Sequence, residues 1–454
     1  MLIEKYSFRD KPTNIDEEGK RKWVYAKQPH GSWYTLRTLV GWGLLVFWVI
    51  VPFIRINGYP LILLDIPDRR FIIFGAIFWA QDTFILSLLM LSFVLFIILF
   101  TVSFGRVWCG WACPQTIFME MVFRRIEFWI EGDYRTRRKL DASPWNFEKT
   151  WKKLAKHTIF LLIAIMMTNV FLMWFIGSEK WLTLIKEPIS EHRTGLAMML
   201  AVSGLFYWIY SWFREQICTM VCPYGRMQGV LLDQNSIVVS YDYKRGEPKG
   251  ANAGGDCIDC RRCLAVCPTG IDIRNGTQFE CIHCTACIDE CNDVMKRTGQ
   301  APNLIRYSSA IGIEENHETI WNTRNIAYSA VLIILLGFFA YTIFTRPVIE
   351  TNILRTPGLL FQENADGTIS NLYNIKIVNK SHNKYDLEIK ILSHDGRIEL
   401  AGRGIPLNDQ DLYQSTFILF IPADQITNEN TTVEFGIFEE DKLLETYKAT
   451  FIYR

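Results

Sequence analysis

Five runs without a charged residue interrupt an otherwise polar chain, at Thr38–Ile54, Thr83–Gly105, Thr158–Ser178, Thr194–Phe213 and Asn325–Thr345. Each is long enough, as a helix, to cross a hydrocarbon core of about 30 Å. A single run of this kind also suits a buried helix of a soluble protein, but five in 454 residues predict a multi-pass membrane region. The first run follows a polar stretch, 1–37, that sets it too far from Met1 for a cleavable signal peptide. That stretch predicts a flexible arm whose basic end, Lys20-Arg-Lys-Trp23, touches lipid.

Beyond Arg346 the period of the pattern becomes two. Alternation at Tyr373–Val378, Asp386–Ile391, Thr416–Ile421, Thr432–Ile437 and Tyr447–Ile452 predicts short strands. The turn signals Asn379–Asn383, His394-Asp-Gly396 and Asn408-Asp409 separate them. No cysteine or tryptophan occurs from Val348 onward, so an all-β immunoglobulin-like sandwich without its usual disulfide is expected over 346–454. His382 and His394 read as solvent-facing loop residues.

Composition agrees with this division, since 50% hydrophobic and 21% charged residues imply apolar spans beside ordinary polar domains. A net charge of +1 gives no footprint for nucleic acid. Basic residues are concentrated between the second and third runs, from Arg106 through Arg124, Arg137 and Lys149 to Lys156. The loops after the first and third runs are much poorer in them. Basic loops stay in the cytoplasm, so the N-terminus, this loop and the segment between runs four and five are expected inside, against anionic lipid, and the sandwich outside.

The segment between runs four and five carries eight of the twelve cysteines. They form two copies of C-x2-C-x2-C-x3-C: Cys257, Cys260, Cys263, Cys267-Pro268, and Cys281, Cys284, Cys287, Cys291. Three thiolates two residues apart share one tight loop, which suits three corners of a cubane, and in two-cluster ferredoxins the fourth ligand comes from the other motif. The spacing therefore predicts two [4Fe-4S] clusters in an α+β bacterial-type ferredoxin domain, 236–320. One takes Cys257, Cys260, Cys263 and Cys291; the other takes Cys281, Cys284, Cys287 and Cys267. Zinc ribbons usually present two ligand pairs, and disulfides are disfavoured in a reducing compartment. Asn292 stands where a proline usually follows the last cysteine. His283 reads as a polar neighbour of the sulfurs or a solvent-facing residue.

The other four cysteines repeat a second signature, C-x3-C-P, at Cys109/Cys113-Pro114 and Cys218/Cys222-Pro223, the second copy lying 109 residues beyond the first. The repeat predicts that runs one and two correspond to runs three and four, within a four-helix region over 38–235. A proline opens a helix well and holds the residue before it in an extended conformation, which places Cys113 and Cys222 at helix starts, where the helix dipole favours thiolate. An interfacial amphipathic helix is expected over Pro114–Ile130, and Met119, Met121, Met220 and Met227 are candidate thioether ligands. Soft thiolates suit Cu(I), zinc or an iron–sulfur cluster, so the quartet reads as a copper site, a third cluster, a redox disulfide pair or structural cysteine, formed within one chain or across a homodimer.

Arg106-Val-Trp-Cys-Gly-Trp-Ala-Cys-Pro-Gln115, Arg214–Arg226, Tyr241-Asp-Tyr-Lys-Arg-Gly-Glu-Pro248 and Gly255–Ile273 resemble the CcoG/FixG/RdxA family of membrane polyferredoxins, over nearly the whole chain. The resemblance implies a bacterial cytoplasmic-membrane protein that reduces Cu(II) to Cu(I) for assembly of cbb3-type cytochrome c oxidase. It also implies a cytoplasmic electron donor and, as partners, oxidase subunits or copper-delivery proteins. Electrons would enter at Cys257–Cys291 and reach copper at Cys109, Cys113, Cys218 and Cys222. Two other functions are compatible with the same residues. One is an electron-transfer subunit of the quinone pool, for which His157 is the protonatable candidate. The other is a copper-holding assembly chaperone without turnover. The Arg-Gly-Glu-Pro stretch reads as a hinge or a docking loop.

Overall fold

The computed structural model describes residue 18 and residues 20–453 except 57, 67–69, 75, 80–81, 189, 252, 319, 357, 359–360, 382, 401, 403, 409–411 and 427. His382 and Asp409 thus lie outside the described residues. Five helices are long and apolar enough to cross a membrane. They are α1 (Ser32–Ile50, extended by a turn at Val51–Phe53), α2 (Thr83–Phe104), α3 (Phe147–Ile176), α4 (Arg193–Trp208, extended at Ile209–Phe213) and α6 (Thr323–Phe344). The helix between them in sequence, α5 (Ala286–Thr298), belongs to the ferredoxin segment.

Four of the spans begin earlier than their charge-free runs, α4 and α6 by one and two residues and α1 and α3 by far more. α1 takes in the buried Arg37, and α3 takes in a basic first stretch that includes Lys149 and Lys156. Partners outside each helix satisfy these charges: the Gly110 carbonyl for Arg37, Glu131 for Lys156, and the nearby Asp141 and Ser143 carbonyls for Lys149.

Contacts divide the chain into two compact units, of which the first comprises residues 1–68 and 84–339. Its core gathers around the segment after the first C-x3-C-P copy. Pro114–Ile117 opens a helix, Phe118–Phe123 continues it with wider i→i+5 hydrogen bonding, and Arg124–Glu131 completes it. This helix packs its inner face into the core, where Phe123 stacks on Tyr210 at 4.5 Å and meets Phe160 edge-on at 4.8 Å, and leaves Trp129 exposed on the other. Such wide turns recur at Ile209–Phe213 and Ile217–Val221, so they flank both cysteine pairs, as they often do at functional sites.

The ferredoxin segment folds on a two-stranded antiparallel ribbon, Val238–Tyr241 with Ile305–Ser308, packed on α5 through Val239, Ile288, Leu304 and Ile305. Its two cysteine loops curl identically. Asp259 and Arg261 in one, His283 and Thr285 in the other, all have positive φ (55°, 55°, 51° and 65°) and occupy equivalent places in their motifs. Asn292 has a structural reason: α5 runs on past Cys291, where a proline would interrupt it, and the Asn292 side chain accepts the Asn303 amide at 2.7 Å.

Residues 20–31 depart from the expected flexible arm. They form a strap in which Tyr25 donates to Asp141 (2.7 Å), the Lys27 amide to the Ala265 carbonyl (2.8 Å) and the Lys27 ammonium to Glu290 (2.6 Å). Trp23 lies between the Arg21 and Arg214 guanidiniums, at 4.2 and 5.0 Å. The Arg-Gly-Glu-Pro stretch is packed as a docking loop: Arg245 holds Asp256 at 2.7 Å and the Pro302 carbonyl at 3.0 Å.

The second unit comprises residues 69–83 and 340–454. Its strands are β1 (Ile349–Arg355), β2 (Thr368–Asn379), β3 (Tyr385–Ile391), β4 (Arg397–Leu400), β5 (Ile405–Leu407), β6 (Leu412–Pro422), β7 (Asn430–Glu439) and β8 (Lys442–Ile452). They build two antiparallel sheets, β4-β6-β2-β1 and β5-β3-β7-β8, the expected sandwich. All five predicted strands are present. In place of a disulfide, Tyr373, Phe417 and Phe435 pack with ring centroids 5.3–5.7 Å apart, and Tyr373 donates to the Thr450 carbonyl at 2.8 Å. The hairpin Arg70–Ile73/Ala76–Trp79 joins this unit, where buried Asp82 pairs with Lys380 at 2.7 Å and with Arg346.

Candidate metal centres

The ferredoxin cysteines gather in the two predicted sets. Cys281, Cys284, Cys287 and Cys267 each feel the other three electrostatically. Cys263 and Cys291 likewise feel Cys260, and Cys291 also feels Cys257. One enclosed void is lined by Cys257, Cys260, Cys263 and Cys291, and a second by Cys267, Cys281, Cys284 and Cys287. Four soft sulfur donors around each void fit a cubane.

The two C-x3-C-P pairs meet in the first unit, within one chain. Cys109, Cys113, Cys218 and Cys222 interact electrostatically in every pairing. Both copies fold as the prolines dictate, with Cys113 (ψ 124°) and Cys222 (ψ 112°) extended and Pro114 and Pro223 opening the next helices. The expected lowering of the thiol pKa by the helix start is outweighed. Burial pushes Cys113 up, helped by Cys109, against the amides of Gln115 and Thr116, and it pushes Cys218 up to about 12. These thiols therefore ionise only when a cation or metal takes their charge. Among the described residues, no three His, Cys, Asp or Glu side chains are grouped to hold a single metal ion, and this applies to the ferredoxin sets and the quartet alike. Met220 and Met227 are exposed, whereas Met119 lines a cavity beside Cys218.

The quartet abuts the second ferredoxin set. Cys109 packs in one apolar cluster with Val266, Ile282, Cys284 and Ala286. Gly110 is pressed so closely on the 282–284 loop that a Cβ there would lie 2.3 Å from the Ile282 carbonyl oxygen and 3.1 Å from the Cys284 nitrogen. At Gly105 a Cβ would meet the His283 ring at 2.5 Å, and at Gly225 the Cys218 carbonyl at 2.5 Å. Sequence reasoning passed over all three glycines. For Gly110 the signal was a glycine inside Cys-Gly-Trp-Ala-Cys, where only backbone can come so close.

His283 pins this contact. It is buried, not solvent-facing, and its Nδ1 accepts the Arg106 amide at 2.9 Å while its carbonyl accepts Trp111 Nε1 (3.3 Å) and Tyr307 Oη (3.1 Å). The Arg106 guanidinium donates to the Phe279 carbonyl and lies by Cys109, Cys218 and Cys281. Arg37 Nε donates to the Gly110 carbonyl at 2.7 Å, and its charge reaches Cys284. On the other side, Asp289 caps α1 by accepting the Trp33 and Tyr34 amides at 3.3 and 2.7 Å. Beyond the quartet, Glu127 holds Arg214 at 2.8 and 2.9 Å and Arg137 at 2.8 Å, fully buried.

Family models match along the chain. Residues 86–137 match a 4Fe-4S binding domain, residues 213–310 a 4Fe-4S dicluster domain, and residues 339–454 the Ig-like fold at the C-terminus of FixG, a putative oxidoreductase. Nitrogen fixation protein FixG of Rhizobium meliloti is 32% identical over 79% of this chain and 77% of its own length. Protein RdxA of Cereibacter sphaeroides is 31% identical over 79% and 80%, and Protein RdxB of the same organism is 32% identical over 92% and 90%.

Proposed function

Because this chain belongs to the FixG/RdxA family of iron–sulfur membrane proteins, we propose that it takes single electrons from a soluble low-potential donor at the ferredoxin domain and delivers them at the C-x3-C-P quartet to Cu(II). Each Cu(II) gains one electron and leaves as Cu(I), for assembly of a cbb3-type oxidase. The observation that carries this reading is the backbone contact of Gly110 with Ile282–Cys284, which joins the two sulfur sites without intervening solvent.

Cys257, Cys260, Cys263 and Cys291 hold one [4Fe-4S] cluster, and Cys281, Cys284, Cys287 and Cys267 hold the other. When bound, the clusters supply one-electron reducing capacity. The chain does the rest. Arg106 and Arg37 place positive charge beside Cys109 and Cys284, and His283 and Asp289 fix the ferredoxin loop and α5 against the membrane helices. The soft sulfurs of the quartet favour Cu(I) over Cu(II), so they assist the reduction of this substrate.

In this reading the ferredoxin domain lies in the bacterial cytoplasm, where basic residues collect, and the sandwich lies in the periplasm, where it docks an oxidase subunit or a copper-delivery protein. A quinone-linked reading has one observation in its favour. His157 Nδ1 and Tyr207 Oη lie 3.0 Å apart between α3 and α4, a pair able to pass protons.

The test is anaerobic mixing of dithionite-reduced protein with Cu(II) and a Cu(I) chelator. Cluster absorbance is expected to recover as Cu(I) accumulates, and Cys218→Ser to slow it strongly. Recovery with ferricyanide but not with Cu(II) overturns the copper reading. Cluster reduction by a quinol, lost in His157→Ala, supports the alternative.

A further inference from the structure

We propose that the Tyr241 hydroxyl donates a hydrogen bond to the cluster of Cys257, Cys260, Cys263 and Cys291, and that this bond raises the reduction potential of that cluster. The proposal rests on the functional reading only for the presence of this cluster, and not on what the quartet delivers.

Residues 241–248 build the phenol into the site. Tyr241 ends the strand Val238–Tyr241, opposite Ile305, and period-two alternation turns it to the same face as Val239, into the core around the cysteines. There it lines the void of the first set together with all four cysteines. It is 5% exposed, and its hydroxyl is buried without a hydrogen-bond partner; the group that it feels most is the Cys257 sulfur. A buried donor left unpaired is costly, and a phenol keeps its proton at neutral pH. The sulfurs of this site are the acceptors within its reach.

The chain beyond closes the other side of the hydroxyl. Asp242 accepts the Arg245 amide at 3.2 Å and caps a short turn that brings Gly246 back over the ring. A Cβ at Gly246 would lie 2.1 Å from Tyr241 Oη, and one at Gly255 would lie 2.6 Å from the Gly246 carbonyl oxygen. Only glycine lets the loop approach so closely. Arg245 ties the turn to Asp256, and the Gly250 amide donates to the Cys257 carbonyl at 2.8 Å, so the loop and the first cysteine are fixed together. The second set has a hydroxyl of its own, Thr269 Oγ1, 3.4 Å from the Cys267 sulfur.

Hydrogen bonds to the sulfurs are among the factors that set cluster potentials. A reduced cluster carries one more negative charge than the oxidised one and holds a donor more strongly, so the bond favours reduction. The placement suits the point of entry. Of the twelve cysteines Cys260 alone is exposed, whereas the second set abuts Gly110. The first cluster is therefore the one that a soluble donor reaches, and Tyr241 makes it easier to reduce.

The experiment is an EPR-monitored redox titration of the full chain, purified anaerobically in detergent. Tyr241→Phe keeps the ring and removes the oxygen. One cluster midpoint should fall by about threefold in its oxidised-to-reduced ratio, about 28 mV for one electron, while iron content and the remaining midpoints hold. Tyr243→Phe is the control, since that hydroxyl is on the surface and pairs with Glu314 at 3.1 Å. Site-specific replacement of Tyr241 by 3-fluorotyrosine, a stronger donor of nearly the same size, should raise the same midpoint, and it decides the matter alone if Tyr241→Phe loses iron. Midpoints that stay in place, or both ferredoxin midpoints moving together, overturn the proposal and leave the functional reading standing. Absence of cubane iron from the unaltered protein overturns both.

Discussion

Gly110→Ala tests the junction between the sulfur sites most directly. The new methyl carbon would lie 2.3 Å from the Ile282 carbonyl oxygen and 3.1–3.2 Å from the Cys284 backbone. Ordinary contact starts near 3.4 Å, so one backbone must retreat by about 1 Å, and neither is free to do so. The Gly110 carbonyl is held by Arg37, and the 282–284 loop is held by Trp111 and Tyr307 at the His283 carbonyl. Overpacking a close contact of this kind costs about 1–3 kcal/mol. Electron transfer falls steeply with separation, so reoxidation of the reduced clusters by Cu(II) should slow several-fold while iron content stays constant. Gly43→Ala is the control, since a Cβ at Gly43 in α1 meets nothing within 4 Å. Its helix propensity should improve by up to about 1 kcal/mol. Stopped-flow absorbance and the thermal midpoint in detergent read both variants. Gly110→Ala reacting at the unaltered rate, with an unaltered midpoint, would refute the claim that this contact joins the two sites.

Glu127 makes the first unit acid-sensitive. Burial alone would raise its carboxyl, but Arg214, Lys156 and Arg137 hold it down to about 2, below an ordinary 4.5. A depressed carboxyl stabilises the fold above its unfolded pKa, and this stability is lost as pH falls from about 4.5 toward 2, an effect of order 3 kcal/mol. Glu127→Gln should flatten that part of a midpoint-against-pH profile and cost about 3–5 kcal/mol at neutral pH, because two arginines lose their counter-charge. Asp289→Ala uncaps α1 and should cost about 1 kcal/mol, with Asp289→Asn milder; hydrogen exchange at the Trp33 and Tyr34 amides gives the comparison. In the second unit, Asp82→Ala removes the carboxylate of Arg346 and leaves Lys380 with Glu350 alone. It should raise proteolysis of the 70–79 hairpin while leaving the iron content unchanged.

The parts of this architecture that were legible in the sequence are those written in local periodicity or ligand spacing. The strands of the sandwich alternate because one face of each is buried, and the swapped ligand sets follow from C-x2-C-x2-C-x3-C because loop geometry leaves one corner of each cubane open. Duplication of C-x3-C-P revealed that the pairs belong together. What was not legible depends on partners far along the chain. Residues 20–31 are polar and read as a free arm, yet their partners Asp133, Asp141, Ala265 and Glu290 lie more than a hundred residues away. For the same reason Arg37 made the predicted first span start too late: nothing nearby announces that the Gly110 carbonyl will receive its guanidinium. Within Pro114–Ile130, Glu120 and Glu127 find the buried arginines Arg124, Arg137 and Arg214, a pairing that no local pattern announces.

The buried arginines of the first unit extend that point to function. Arg124, Arg137 and Arg214 each face a carboxylate, Glu120 or Glu127, and together they neutralise one another as a structural core. Arg37 and Arg106 are equally buried but donate to the Gly110 and Phe279 carbonyls, Arg106 also bonds the Cys109 sulfur, and neither pairs with a carboxylate of the described residues. Burial of five guanidiniums cannot be a general feature of packing, because each costs several kcal/mol unless compensated. Arg214, which shares a cavity with Cys218, keeps Glu127, whereas Arg37 and Arg106, whose charges reach Cys284 and Cys109, have no carboxylate partner among the described residues. Arg37 and Arg106 therefore set positive charge on either side of the close approach of Gly110 to Ile282 and Cys284, where the C-x3-C-P segment meets the ferredoxin loop.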